Sequence, residues 1–423
     1  MRPFRNCGSL AVALAISVSS VQAADFSLAA KATNELGIDL YRQLARNQDN
    51  LCLSPYSIQS ALAMTFAGAD GDTRTEMARV LHFPSEGDAI DESFAALQTS
   101  LAEMAKKTMT IAEQSKKGGG PSEPISLAIA NRLFAQNDYQ FREAFRQLVK
   151  KFYGAPFEPL DFKKDAEAAR IHINSWVSDQ TRERIHDLIP PHGVNATTRL
   201  ALVNAIYLKA PWQNEFSDFF TKPKPFHVFG GAAVDVPTMR NVRPYRYAKE
   251  NGFTAVALPY SGDELQFLIL IPDQINGLHE LESKLTADQL KQCAQLKTAR
   301  DVDLELPKFK LEPPTIQLAD NLMSLGMKTA FDDPQGSANF DKMAPRRPKD
   351  YLAISQVFHK TFIAVDEKGT EAAAATAVTM EVASAAVKKE QPIKLKVDRP
   401  FLYAIQHVPS GACLFIGRVT DPR

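Results

Sequence analysis

The side chains that most often carry catalysis are sparse in this sequence. The chain of 423 residues has four cysteines and eight histidines. None of them stands in a GxSxG elbow, an HExxH helix, a phosphate-binding loop or a dinucleotide fingerprint. Cys52 and Cys413 lie in apolar runs, which favours small core residues over a catalytic Cys–His pair. The sequence therefore does not point to an enzyme, and we expect neither a cofactor nor a metal.

One stretch has residue types that suit a different chemical event, the cutting of its own backbone by a protease. Residues 366–398 separate two strand-like runs, at 362–365 and 401–405, whereas connections between elements usually have about 2–6 residues. An exposed extended segment is what a protease active site accepts. Small residues at Ala383, Ser384, Ala385 and Ala386 suit a narrow specificity pocket.

The first part of this stretch allows two conformations. Its alanines favour a helix, which Thr370 could cap. Alternate residues are nevertheless small or apolar, which is typical of a strand with one buried face, and no proline interrupts them. The members of that face are Thr370, Ala372, Ala374, Thr376, Val378, Met380 and Val382. The pattern indicates a loop that is able to become a strand.

Composition limits the classes of protein to which the chain can belong. Lys and Arg together number 49, as do Asp and Glu, so no basic field predicts a nucleic-acid partner. Length alone would suggest two or three domains, but no low-complexity linker divides the chain. Composition therefore gives no boundary at which to divide the chain into domains.

The first 23 residues have the pattern of an export signal. Arg2 and Arg5 precede an apolar run at 10–18, and Val21 and Ala23 form a small-residue cleavage site. The run is too short to remain as a membrane anchor, and we expect no membrane partner. The sequence predicts a signal peptide at 1–23 and a mature protein that is secreted or periplasmic.

Helical patterns dominate the N-terminal half. Apolar periodicity predicts a helix over residues 26–46. Ser54 and Pro55 form a good helix start, Gly68 ends that helix, and another begins near Thr73. The polar, glycine-rich residues 106–124 predict a mobile surface loop.

Short runs with recognisable wording are distributed along the whole chain after residue 23. The first lies within residues 50–83, and Trp212 is a further landmark. The other runs are ANRLF at 130–134, DF at 161–162, INSWV at 173–177, TRLALVNAIY at 198–207, LPY at 258–260, LPKF at 306–309, LGM at 325–327, ISQVFHK at 354–360 and RPFL at 399–402. Each run is weak alone, but their order is specific, and together they resemble the serpin family of serine protease inhibitors.

The resemblance implies a single domain over residues 24–423, acting as a monomer. Its α+β fold would have three β-sheets, eight or nine helices and an exposed reactive-centre loop at about 367–398. In inhibitory members the spacing from Glu367 places the scissile bond at Ala383–Ser384. Because residues 384–400 are longer than in many serpins, Val382, Ser384, Ala385 and Lys388 stay open as alternatives.

The resemblance also assigns three groups of supporting residues. The hinge, which would enter the central sheet first, comprises Glu367, Gly369, Thr370, Glu371, Ala372, Ala373, Ala374 and Ala375. Ser54, Ser57, Asn204 and His359 match a polar cluster where that sheet opens. Lys308, which would pair with Glu367, belongs to a cluster at the top of the loop with Trp212 and Tyr260.

These observations predict a suicide-substrate inhibitor of a serine protease. Alanine at 383 suits an elastase-like target, and a chymotrypsin-like one is the alternative. Small hinge residues argue against a non-inhibitory serpin that acts as a binding or carrier protein, because a charge or proline there would impede insertion. A secreted hydrolase is the remaining rival.

Overall fold

The computed structural model describes residues 25–84, 89–118, 121–348, 350–371 and 391–423. The predicted signal peptide, the hinge alanines from Ala372 to Ala375 and the bond between Ala383 and Ser384 lie outside these ranges. Nine α-helices occur in the described residues. They are α1 Ser27–Leu44, α2 Pro55–Ala67, α3 Gly71–Val80, α4 Ala89–Gly118, α5 Glu143–Tyr153, α6 Ala166–Gln180, α7 Leu278–Lys284, α8 Ala287–Ala294 and α9 Ala319–Ser324.

The helix start predicted at Ser54 is confirmed. Ser54 has extended backbone, its Oγ accepts a hydrogen bond from the Ser57 amide at 3.2 Å, and Pro55 is the first helical residue. Gly68 is the C-cap of α2. α1 and α3 likewise lie where the sequence predicts helices.

The surface loop predicted at residues 106–124 is wrong over most of its length. Helix α4 continues to Gly118, because Leu97, Leu101, Met104, Thr108 and Ala112 recur at helical spacing and are buried. The polar residues between them occupy the solvent face. Their number concealed the apolar stripe.

Within the same described ranges, seventeen strands form three sheets. The strands are β1 Leu51–Leu53, β2 Ser126–Gln136, β3 Phe157–Leu160, β4 Leu200–Pro211, β5 Lys222–His227, β6 Ala233–Lys249, β7 Phe253–Pro259, β8 Leu265–Pro272, β9 Ala299–Pro307, β10 Phe309–Leu311, β11 Ile316–Gln317, β12 Phe358–His359, β13 Ile363–Val365, β14 Gly369–Thr370, β15 Ile393–Lys396, β16 Phe401–His407 and β17 Ala412–Val419. The fold is therefore mixed α and β with three sheets, as predicted.

The largest sheet has nine strands in the order β1-β17-β16-β8-β7-β6-β9-β15, with β5 also paired to β6. A six-stranded sheet has the order β10-β13-β14-β4-β2-β3, and β11 pairs with β12. A hydrophobic core joins both large sheets to α1 and α2, and a smaller cluster lies beneath α6. Cys52 and Cys413 are buried core residues, as predicted.

The loop bounds predicted at about 367–398 are too wide, because strands hold residues near both ends of that range. Gly369 and Thr370 form β14 in the six-stranded sheet. Residues 393–396 form β15, which pairs in parallel with β9. Among the described helices, none combines the length and the apolar character needed to cross a bilayer.

Candidate functional site

The candidate site begins where the hinge enters the six-stranded sheet. Thr370 pairs with Val365 of β13 on one side and with Ala210 of β4 on the other. The Glu371 amide donates to the Ala364 carbonyl at 2.7 Å. A Cβ at position 369 would lie 2.1 Å from the Ala210 carbonyl oxygen, so this approach requires glycine. The first hinge residues are thus already a short strand between β4 and β13.

Two stacked aromatic rings lie beside Thr370. The rings of Trp212 and Tyr260 are parallel, with centroids 4.6 Å apart, and the Tyr260 hydroxyl is hydrogen-bonded to Thr370 Oγ1. The Trp212 indole N–H donates to the Asp366 carbonyl at 2.9 Å. The structure therefore brings together the aromatic residues that the sequence placed at the top of the loop.

The predicted Lys308–Glu367 pair is also present. Lys308 Nζ lies 2.6 Å from Glu367 Oε2, and Thr221 Oγ1 donates to Glu367 Oε1 at 2.7 Å. Burial alone would raise the pKa of Glu367, but the hydrogen bonds from Lys308 and Thr221 outweigh it and hold the pKa below its usual value. A second pair, between Lys368 Nζ and Glu215 at 2.8 Å, was not predicted.

At Glu371 the chain turns away from the strand direction. Its φ of +48° is left-handed, a conformation that costs free energy in a residue with a side chain. Arg184 Nε bonds Glu371 Oε1 at 2.6 Å, and the Arg184 guanidinium lies 5.4 Å from the centroid of the Phe362 ring. The sequence gave no signal for Arg184, which follows α6 and is far from the hinge along the chain.

Below the hinge, one edge of β4 has no ladder partner among the described residues. Strand β2 pairs with β4 from Leu200 to Lys209 on one side, whereas β14 reaches only Ala210 and Pro211 on the other. A cavity of about 800 Å³ lies along this edge. Residues 200–204 of β4, the segment 350–359 and α2 line it.

The sheet-opening cluster lies at this cavity. The Ser54 amide donates to His359 Nε2 at 3.0 Å, and Ser57 Oγ is hydrogen-bonded to Asn204 Oδ1. Burial lowers the pKa of His359 to about 4, so the imidazole is neutral at pH 7 and able to accept that hydrogen bond. The four predicted residues thus form two contacts that join α2 to the two sides of the opening.

Asn131 extends the cluster onto the next strand. Its Oδ1 accepts a hydrogen bond from Asn204 Nδ2, and its own amide donates to the Tyr153 carbonyl at 3.3 Å. Sequence reasoning noted Asn131 within the ANRLF run but gave it no role. The contact could not be read from the sequence, since it depends on the register between β2 and β4.

Comparison with known proteins identifies the family. The profile of the family described as "Serpin (serine protease inhibitor)" matches residues 31–422. An uncharacterized serpin-like protein of Thermococcus kodakarensis is 37% identical over 93% of this chain and 85% of its own length. The leukocyte elastase inhibitor of Xenopus tropicalis is 35% identical over 92% of this chain and 98% of its own.

Solved structures agree with this assignment. A structure described as "Cleaved Serpin 42Da" superimposes with a TM-score of 0.76 at 30% identity, covering 94% of this chain and 99% of its own. Serpin48 of the insect Tenebrio molitor gives a TM-score of 0.76 at 29% identity, covering 95% and 100%. With the profile spanning nearly all of the sequence, the chain belongs to the serpin family of serine protease inhibitors.

Proposed function

We propose that this serpin is a suicide-substrate inhibitor of an elastase-like serine protease. Cleavage of the loop would free residues 370–382 to enter the six-stranded sheet between β4 and β13. The observation that carries the proposal is β14, because Gly369 and Thr370 already occupy the first rungs of that position. The edge of β4 below them continues without a described partner.

The registers of β14 support an insertion that continues down the sheet. Thr370 pairs with Ala210, and in an antiparallel pair each step forward along an inserted strand faces one step back along β4. Met380 would then face Leu200, the first residue of β4. The pairing of Thr370 with Val365 sets the register on the other side in the same way.

The two registers converge at the sheet-opening cluster. Thr376 would face Asn204 of β4 and, with the second register continued from β13 back to β12, His359 on the other side. Side chains on the same face as the buried Thr370 are those at alternate positions, which are the small and apolar ones. Val378 would face Leu202 by the same register, beside the cavity of about 800 Å³.

The energetics favour such a move. Burial of Val378, Met380 and Val382 would contribute about 1.5–3 kcal/mol each. About ten new ladder bonds would add roughly 0.5–1.5 kcal/mol each. Residue 383 would pass below the start of β4, a displacement on the order of 40 Å at about 3.3 Å per residue.

The displacement would stop the protease at the acyl-enzyme stage. A serine protease that has cut after Ala383 holds this residue as an ester, and water must still hydrolyse it. The ester, the general base and the oxyanion hole must keep their positions within about 0.5 Å. Pulling on the ester would displace it from the oxyanion hole, so the complex would persist.

Elastase-like specificity rests on the residue before the proposed bond. A shallow pocket accepts the methyl group of Ala383 and excludes large side chains. Similarity to a protein named leukocyte elastase inhibitor supports the same assignment.

A direct experiment combines pancreatic elastase with the purified protein. We expect a covalent complex that survives boiling in detergent, and a released C-terminal fragment that begins at Ser384. Ala383→Arg supplies the matched control, because it should lose the elastase complex and gain one with trypsin. Plain cleavage of the wild type by each member of a panel of serine proteases, without a stable complex, would exclude the proposal.

We propose further that the protein meets its protease outside the cytoplasm. The support is the pattern of residues 1–23, two arginines followed by an apolar run and small residues. Sequencing the N-terminus of the mature protein should give Ala24 as its first residue. A mature chain that retains Met1 would contradict export.

A further inference from the structure

Two adjacent phenylalanines are exposed on the segment that follows β4. Phe219 and Phe220 lie in a single 3₁₀ turn, Asp218–Phe220, and are 75% and 53% exposed. Their ring centroids are 5.3 Å apart and the rings are nearly perpendicular. Large aromatic side chains at this exposure commonly mark an interaction surface.

The fold itself does not use these two rings. Phe216, three residues earlier, is the buried side chain that holds the segment in the core, with its ring 6.5 Å from that of Trp212. The ring of Phe219 instead faces the Lys222 ammonium at 5.4 Å. A cation beside an exposed aromatic pair gives the patch both an apolar and a positive component.

The segment that carries the pair joins the two ends of the loop. At its start, the Phe216 amide donates to the Glu367 carbonyl at 2.9 Å, and Thr221 bonds the Glu367 carboxylate. At its end, the His227 amide donates to the Asp398 carbonyl at 2.8 Å. Phe219 and Phe220 thus lie between the two ends of the segment that a protease must grip.

A protease bound to the loop is large enough to cover this patch. Residue 383 is eight residues from residue 391, and eight extended residues span at most about 28 Å. A protease domain of about 230 residues has a radius of gyration near 17 Å and is therefore roughly 45 Å across. Its surface around the active site can thus reach the base of the loop.

We propose that Phe219 and Phe220, flanked by Lys222, form an exosite that contacts the target protease outside its active site. The partner surface that fits is an apolar depression near the rim of the protease active site with an acidic side chain at its border. This inference rests on the proposed function, because the protease is placed over the patch by its grip on the loop. The exosite strengthens the encounter complex that forms before the loop is cut.

The test compares Phe219→Ser/Phe220→Ser with the wild-type protein, with pancreatic elastase as the probe. We expect the second-order rate constant for complex formation to fall about tenfold, the effect of losing an aromatic anchor. The number of inhibitor molecules consumed per protease and the melting temperature after loop cleavage should stay unchanged, since the hinge and the sheet are intact. Ile171→Ser is the matched control, because Ile171 is 56% exposed on α6.

The outcomes separate the two proposals. If the wild type forms no stable complex with elastase or any other protease tested, the proposed function fails and takes the exosite with it. If the wild type inhibits and the double variant inhibits equally fast, the exosite alone is wrong. Light scattering tests whether the patch instead binds a second copy of the chain. A wild-type dimer that becomes monomeric in the double variant would overturn the exosite.

Discussion

The Thr370 hydroxyl occupies a buried position that tolerates few other side chains. The side chain is 2% exposed and bonds the Tyr260 hydroxyl. Thr370→Arg would place a guanidinium among aromatic rings, and an unpaired buried charge costs several kcal/mol. The hinge should therefore be displaced from the sheet, and the protease should complete hydrolysis and be released before the loop inserts.

We expect Thr370→Arg to be cut by elastase as a substrate, with at least about ten molecules consumed per protease inhibited, since each 1.4 kcal/mol changes a ratio about tenfold. Titration of elastase activity measures this number. Thr370→Ser, which keeps the hydroxyl, is the control and should inhibit like the wild type. Unchanged trapping by the arginine variant would reject the role of the hinge.

His359 makes stability depend on pH. Its folded pKa of about 4 lies below the unfolded value of about 6.5, so between these limits the unfolded chain binds a proton that the folded protein does not. Stability is therefore fully present above pH 6.5 and is lost as the pH falls toward 4, by up to about 3 kcal/mol. His407, whose pKa burial also lowers to about 4, acts in the same direction.

Urea unfolding at pH 7.0 and pH 4.5 should show this loss as a lower midpoint. His359→Asn should reduce the difference between the two pH values, because one of the two buried imidazoles is gone. A midpoint that does not change with pH in the wild type would contradict the assignment of a neutral, buried His359.

At the residue scale, the sequence predicted the features that depend on short, local motifs. Ser54 has the residue type of a helix cap and is followed by proline, so its role could be read locally. The meeting of Ser57 with Asn204 came from family resemblance, and the structure confirms the contact. Arg184 and Glu215 could not be predicted, because ion pairs between segments that are distant along the chain leave no periodic signal.

At the scale of elements, the turn after α6 contacts the hinge through the Arg184–Glu371 ion pair. To continue as a strand, Glu371 must leave its left-handed conformation and release Arg184. The Arg184 side chain is about half exposed, so the ion pair contributes at most about 1 kcal/mol. On the proposed mechanism, this pair would act as a weak restraint on insertion.

We expect Arg184→Ala to raise the rate of loop insertion after cleavage by about two- to fivefold, the equivalent of up to about 1 kcal/mol. Stopped-flow fluorescence of a dye attached to the loop measures that rate. Arg182→Ala is the control, because Arg182 lies in the same turn but contacts Tyr207 and Ser126. Equal rates in the Arg184 variant and the wild type would contradict a restraining role for Arg184.

Element boundaries show where sequence reasoning stops. The helix predicted over residues 26–46 has clear apolar periodicity, and the structure confirms a helix at Ser27–Leu44. The last turns of α4 were missed, since polar residues outnumber the buried Thr108 and Ala112. β14 could not be predicted either: two residues become a strand only because β4 and β13 stand apart to receive them.

For the whole molecule, cleavage should raise stability. An inserted strand adds on the order of 10 kcal/mol by the contributions given above. A chain of this length has an unfolding entropy of roughly 0.8 kcal/mol/K, so the melting temperature should rise by more than about 10 °C.

The fold itself could be predicted only because matching motifs recur in the same order along the chain.

Calorimetry before and after limited elastase cleavage measures this rise. Thr370→Arg cut at the same bond should show little of it, which separates insertion from the mere removal of a loop. An equal melting temperature for the intact and cleaved wild-type protein would show that the edge of β4 stays unfilled.

The edge of β4, which has no ladder partner in the described part of the chain, also limits the concentration at which the protein can stay monomeric. Its backbone groups would be open to any extended chain of suitable sequence, and residues 370–382 of a neighbouring molecule have such a sequence. Above a threshold concentration and temperature, molecules would link to one another and lose the proposed inhibitory activity. Storage life, on this account, is set by how often two molecules collide with the edge exposed.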